Sequence, residues 1–321
     1  NLVYNYTPKT YSNSKLNISI IRKLKNINKD SLINTLFYGQ SGTGKYILSK
    51  LLIHDLFGYQ VYNLKKNVLV SDSKECIYYS SMYHYEIYVT KHHISKLLKL
   101  VLESITSHIN IATHSYRIII IKNCHYLTKE IWYYIKHIIE KRGSIIRFIF
   151  TCNSINSIPK HTLSLFMTIR VPKSSKNDLK YFLDDIIKKE LIDINIDDLI
   201  KKEDYNIYRI IFSLDCIHLN FKNKPKLLDV YINQLIDLIT TGDINNILII
   251  REKLYALFSK NYDKKECLKK IYYSILPHLN DDDKLNLTEL ASTLNHRLVK
   301  SYKDSIHLEY FCIFILHLFK E

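Results

Sequence analysis

Tyr38-Gly39-Gln40-Ser41-Gly42-Thr43-Gly44-Lys45 matches the pattern G-x-x-x-x-G-K, and Tyr46 then stands where Ser or Thr is expected. Asn34-Thr35-Leu36-Phe37 before it reads as a short buried strand. Ile47, Leu48, Leu51, Leu52 and Leu56 after it fall at helical spacing. Strand, glycine-rich turn and helix are the context in which backbone N–H groups at a helix N-terminus wrap phosphates and the lysine reaches the outer ones. Three of the chain's six glycines lie in this loop. The reading is nucleotide binding, with ATP or ADP as ligand.

Hydrolysis needs more. In phosphate-loop enzymes Mg²⁺ is held by the loop Ser/Thr and by an acid at the end of a second buried strand. That strand is Tyr116-Arg117-Ile118-Ile119-Ile120-Ile121, an apolar run suited to cover on both faces. Where the acids belong the chain reads Lys122-Asn123-Cys124-His125. Little supports Mg²⁺, no residue qualifies as a metal ligand or catalytic group, and weak or absent hydrolysis is expected.

Length and composition bound the rest. At 321 residues the chain has room for about two or three domains. No run approaches the roughly 18 uncharged apolar residues of a membrane span. No charged region followed by an apolar stretch opens the sequence, so a secreted protein is not expected. The six cysteines are widely spaced and lack a C-x-x-C pair, as in a reducing compartment. Their spacing from the 14 histidines shows no zinc pattern. A net charge of +15, from 46 Lys and Arg against 31 Asp and Glu, favours a polyanionic partner. The wealth of Lys, Asn, Ile and Tyr also matches what AT-rich codons produce, so the charge alone does not settle the matter.

Strand-like segments at Asn34–Tyr38, Asn67–Ser71, Tyr116–Ile121, Ile145–Thr151 and Met167–Val171 alternate with helical patterns at about 45–57, 91–108 and 128–141, the rhythm of a parallel sheet. Only helical patterns follow, at about 175–191, 195–202, 205–218, 226–240, 243–259, 263–277, 282–300 and 303–319. The fold class is an α/β nucleotide-binding core over 1–172, then a helical lid over 173–229 and an all-α domain over 230–321. Asp281-Asp282-Asp283 marks a helix start, where acids suit the dipole.

Tyr6-Thr7-Pro8-Lys9-Thr10 resembles the K-Y-R-P-K-T signature of the clamp-loader small subunits, the replication factor C family of the AAA+ class. The resemblance continues through Tyr38–Lys45, Tyr116–Glu140, Thr151-Cys152-Asn153-Ser154 and Ile169-Arg170-Val171-Pro172. In the C-terminal part, Arg251–Leu257, His296-Arg297-Leu298 and His307-Leu308-Glu309 resemble the collar of a family member whose own loop also lacks the Ser/Thr. Several positions depart from the family. Lys122 and Asn123 replace its acidic box, and Ser164-Leu165-Phe166 replaces the motif that carries its arginine finger. The lid's sensor arginine aligns with Tyr208, one place before Arg209.

The resemblance implies a nucleotide site made of Tyr6, Pro8, Gly39, Gln40, Ser41, Gly42, Thr43, Gly44, Lys45, Tyr46, Asn153 and Arg209. It implies a DNA-facing set on two helices, Lys91, Lys96 and Lys99 with Lys129, Lys136, Lys141 and Arg142. It further implies a hetero-oligomer, a pentamer with other AAA+ subunits, that loads a sliding clamp onto primer-template DNA in replication and repair, in the nucleus or an equivalent compartment. The missing finger implies that the neighbouring site is also relaxed, since Arg170 is expected in a buried strand; the alternative is that Arg170 or Arg147 replaces it. Trp132, Tyr133 and Tyr134 are expected to pack in the core. The alternative is an active AAA+ ATPase of another class, such as a helicase loader or replication initiator. An initiator would end in a helix-turn-helix reader rather than a collar.

Overall fold

The isoleucines at 118–121 put apolar side chains on both faces of one strand, so both faces must be covered, and they are. Ile119 and Ile121 pack with Phe148, Phe150 and Trp132 on one side, while Ile118 and Ile120 pack with Phe37, Leu48, Leu51 and Leu52 on the other. The computed structural model describes residues 2–71, 74–90, 95–107, 116–192, 194–219, 227–259, 264–300 and 304–319. The chain divides into two units, Asn1–Phe221 and Lys222–Glu321.

The first unit holds one sheet of seven strands: β1 Thr35–Tyr38, β2 Lys65–Ser71, β3 Lys74–Ser80, β4 His84–Tyr88, β5 Arg117–Lys122, β6 Ile146–Cys152 and β7 Met167–Arg170. Their order is β2-β3-β4-β5-β6-β1-β7. From β4 to β7 the neighbours are parallel, whereas β2, β3 and β4 pair antiparallel. The parallel sheet expected from the sequence runs from β4 to β7, and β2 and β3 extend it antiparallel; β3 and β4 are strands the periodicity did not reveal. Tyr78, Tyr79, Tyr85 and Tyr88 fall on both faces of these strands and blur the apolar–polar alternation by which a half-buried strand is recognised.

Nine helices are described here: α1 Leu2–Asn5, α2 Ile18–Leu24, α3 Lys45–Phe57, α4 Ser95–Ser107, α5 Lys129–Arg142, α6 Lys160–Leu163, α7 Lys176–Glu190, α8 Ile196–Lys202 and α9 Ile207–His218. α3 covers one face of the sheet, and α4 and α5 cover the other. Trp132 on α5 is buried against Phe150 and Phe166. Tyr133 corrects the expectation of core packing: it is exposed and stacks on His161 at 5.1 Å between ring centroids. α7, α8 and α9 share a separate small core with Leu2 of α1.

Among its described residues the second unit has helices and no strand: α10 Leu227–Thr240, α11 Ile247–Ser259, α12 Lys264–Ile275, α13 Asp281–Lys300 and α14 Asp304–Leu318. The acids of Asp281–Asp283 form the first turn of α13. α14 contacts the other four helices and contributes Leu308, Phe311, Cys312, Ile315 and Leu316 to the core. Arg251 Nε pairs with Glu309 Oε1, joining α11 to α14.

Candidate nucleotide site

β1 ends at Tyr38, in register with Cys152 of β6 and Arg170 of β7, and the chain then turns sharply. Gly42 (φ 78°) and Gly44 (φ 89°) adopt left-handed backbone that only glycine takes readily. Gly44 caps α3, so the helix begins at Lys45 with its first N–H groups aimed back at the loop. The loop is also pinned from outside. The Ile207 N–H donates to the Gly42 carbonyl at 3.2 Å, and Asn17 Nδ2 donates to the Thr43 carbonyl at 3.0 Å.

Lys45 is buried at 8% exposure. Its ammonium donates to the carbonyls of Gly39 at 2.7 Å and Gln40 at 2.5 Å, and reaches Asn153 Oδ1 at 3.4 Å. Burial pulls it down to about 8. A lysine so depressed gains most from an anion that restores the favoured charged form.

A cavity of about 590 Å³ opens over this loop. Of the predicted nucleotide contacts, Tyr6, Pro8, Ser41, Gly42, Gly44, Lys45, Tyr46, Asn153 and Arg209 line it. Gly39, Gln40 and Thr43 do not line it: the first two supply the carbonyls that hold Lys45, and the Thr43 hydroxyl donates to the Gln40 carbonyl at 3.0 Å. Tyr6 is fixed by its hydroxyl donating to Glu190 Oε1 at 2.8 Å.

At the rear of the cavity lies a cluster that the sequence reading did not find. Glu86 on β4 is buried at 2% exposure. Its Oε1 accepts from Lys50 Nζ at 2.5 Å and lies 2.9 Å from His84 Nε2; its Oε2 accepts from the Tyr46 hydroxyl at 2.7 Å and lies 3.1 Å from Lys122 Nζ. Burial works against the Glu86 charge. The His84 hydrogen bond and the Lys122 and Lys50 ammoniums outweigh burial and hold the carboxyl well below its usual range. Burial lowers His84, which stays neutral at pH 7, and also pulls Lys122 down against the pull of Glu86. The alternation His84-x-Glu86 was the available signal, since both side chains of such a pair share one face of a strand.

Mg²⁺ does not fit these residues. Such an ion needs oxygen ligands, normally including one or two carboxylates. Tyr46 replaces the loop hydroxyl residue and spends its own hydroxyl on Glu86. Lys122 stands where the strand's acid is expected, and no Asp or Glu is among the described residues that line the cavity.

Of the two candidate finger residues, Arg170 is the more exposed. Arg170 is exposed on the edge strand β7, not in a buried strand. Arg147 is half-buried, donates to the Leu32 carbonyl at 2.7 Å and lies over the Tyr116 ring.

Of the DNA-facing candidates, Lys91 lies outside the described residues. α4 and α5 run parallel, tied at their starts by the Ser95 and Thr128 hydroxyls at 2.9 Å and at their ends by Arg142 donating to the Thr106 carbonyl. Lys96, Lys99, Lys129, Lys141 and Arg142 are exposed, whereas Lys136 is half-buried. Lys99 pairs with Glu103 and Lys136 with Glu140.

No protein-family model matches the chain. It is 26% identical over 340 residues to replication factor C subunit 5 of Saccharomyces cerevisiae, covering 95% of this chain and 96% of that one. It is 24% identical over 310 residues to replication factor C subunit 3 of Homo sapiens, covering 89% and 86%. Among solved structures, the Bacillus subtilis DNA clamp loader delta protein is similar at 12% identity with a TM-score of 0.34, over 93% of this chain and 99% of that one. The resemblance read from the motifs is borne out: along nearly its whole length the chain is a homologue of replication factor C subunits 5 and 3.

Proposed function

We propose that this chain is a clamp-loader subunit that binds ATP or ADP as a fixed structural element and hydrolyses it weakly or not at all. The observation that carries the reading is the pairing of a shaped phosphate loop with Tyr46 and Lys122 at the two places where a hydrolysing site holds its metal. The loop glycines, the buried Lys45 and the cavity support binding. With Lys122 in the acid's place, no carboxylate among the described residues that line the cavity is left to position Mg²⁺ or to activate water.

In this reading residues 1–172 form the AAA+ core, 173–229 the lid and 230–321 a collar through which the chain joins other AAA+ subunits in a pentamer. The neighbouring subunits hydrolyse ATP, and the assembly opens a ring-shaped clamp and closes it on primer-template DNA in a nuclear or equivalent compartment. α4 and α5 carry exposed cations suited to a duplex backbone, where contacts give affinity without reading sequence.

The test has two arms. The tagged chain, purified from its host, is expected to bring down related AAA+ chains, and deletion of 230–321 to release them. The isolated chain is expected to bind ADP while releasing no phosphate from ATP above background. Turnover at the rate of a working AAA+ protein, abolished by Lys45→Ala, would favour the active ATPase reading.

A further inference from the structure

The Glu86 cluster holds one more positive charge than it needs. Lys50 at 2.5 Å already balances the buried carboxylate, and His84 adds a hydrogen bond to the same oxygen. Lys122 is a second ammonium on a single negative charge. It is not buried away behind the first: its side chain is 21% exposed and lines the cavity together with Lys45, whereas Glu86 does not line it. Nζ sits 3.4 Å from the centroid of the Tyr46 ring, so the ring and Glu86 fix the ammonium beside the first residue after the loop lysine. Of its three donors, one goes to Glu86 and one faces the Tyr46 ring, which leaves one for an acceptor in the cavity.

Lys45 makes the same point from the loop side. Its three recorded acceptors are two carbonyls and an amide oxygen, none of them ionised. Two ammoniums therefore converge on a cavity whose described lining has no acid; Arg209 lines it as well, as does Lys15, which is paired with Asp185. A polyphosphate without its metal carries the charge that such a lining lacks. A divalent cation would instead meet Lys122, which repels it, at the place where it needs a carboxylate.

Resting on the nucleotide-binding reading above, we infer that this site takes the nucleotide without a divalent cation, the Lys122 ammonium standing where the metal stands in hydrolysing relatives of the loop. The ligand class is a free nucleoside di- or triphosphate. Lys122 is a binding residue and moves no proton.

The chain, stripped of nucleotide, is titrated with ADP and with ATP by calorimetry in excess EDTA and in excess Mg²⁺. Wild-type affinity is expected to be the same or higher in EDTA. Lys122→Gln should weaken binding in EDTA by roughly ten- to a hundredfold, the range for losing one hydrogen bond to a charged group. Lys122→Arg should retain it. In Tyr46→Thr with Lys122→Asp, the preference should reverse, with affinity rising when Mg²⁺ is added. The wild-type comparison needs no variant to fold. Binding by wild type in Mg²⁺ but tenfold weaker or worse in EDTA overturns the inference and leaves the nucleotide reading standing. No binding in either buffer overturns both.

Discussion

The Asn206 side chain occupies the space into which a side chain at Gly42 would project: a Cβ built on Gly42 falls 1.9 Å from Asn206 Oδ1. The same amide oxygen accepts the Arg209 N–H at 3.2 Å and so caps α9. One atom thus links the loop's backbone shape to the start of a helix that brings Arg209 to the cavity.

Gly42→Ala should therefore fail twice, through its left-handed φ and through the clash. The expected loss is about 1–3 kcal/mol, with nucleotide affinity reduced as α9 moves off the loop. Asn206→Ala alone should lower stability by about 1 kcal/mol through the lost cap. Combined with Gly42→Ala it should recover the clash part of the loss but not the strain. Thermal melts of the three variants decide this, and equal midpoints for wild type and Gly42→Ala would refute the close approach.

Lys45 carries a pH dependence of defined sign. Burial holds it at about 8, against about 10.4 for an unfolded chain. Between these values the folded protein has shed a proton that the unfolded chain keeps, so this group makes stability rise with pH across that window. Below about 8 the buried charge is a fixed cost. Nucleotide binding runs the other way, because phosphate favours the ammonium. Affinity should fall as pH rises past 8, towards a tenfold loss per unit, with proton uptake visible in buffers of differing ionisation enthalpy. A flat profile from about pH 7 to 9.5 would refute it.

Glu86→Gln leaves Lys50 and Lys122 facing a neutral group in a buried site. A cost of about 3–5 kcal/mol is expected by urea unfolding. Adding Lys50→Met should return part of it. For wild type, a carboxyl held below its unfolded value stabilises above the unfolded value of about 4.3, and the contribution drains away as pH falls through the lower folded one. Glu86→Gln should flatten this acid limb, and an unchanged limb would count against the cluster.

The basic helices should not respond uniformly. In the assembled complex, Lys129→Ala and Lys141→Ala should each lower the salt slope of duplex binding by about one, equally for unrelated sequences. Lys99→Ala and Lys136→Ala should lower it less, because Glu103 and Glu140 already compensate them. Losses confined to one sequence would indicate a base reader.

The loop, α3 and the covered strand β5 were legible because each rests on local spacing: glycines at the turn, Leu48, Leu51 and Leu52 along one helix, four isoleucines along one strand. Glu86 was not legible, because its meaning is a meeting of β4 with α3 and the end of β5, elements far apart in sequence. The surrounding Met82-Tyr83-His84-Tyr85-Glu86-Ile87-Tyr88 places polar residues inward and Tyr88 outward, the reverse of the pattern by which a strand is recognised. Arg170 was misplaced for a related reason. A short apolar run before it looks the same at a sheet's edge as at its centre, and only the strand order distinguishes them.

α14 is apolar around most of its girth and lies against each of the other helices of its unit. The consequence concerns synthesis. When residues 227–300 have emerged from a ribosome, the four helices they form still lack the one that fills their centre. Their apolar faces stay exposed until Leu308, Phe311 and Ile315 arrive. The core of the unit thus closes only when α14 joins it, and a nascent chain exposes hydrophobic surface that the folded unit hides.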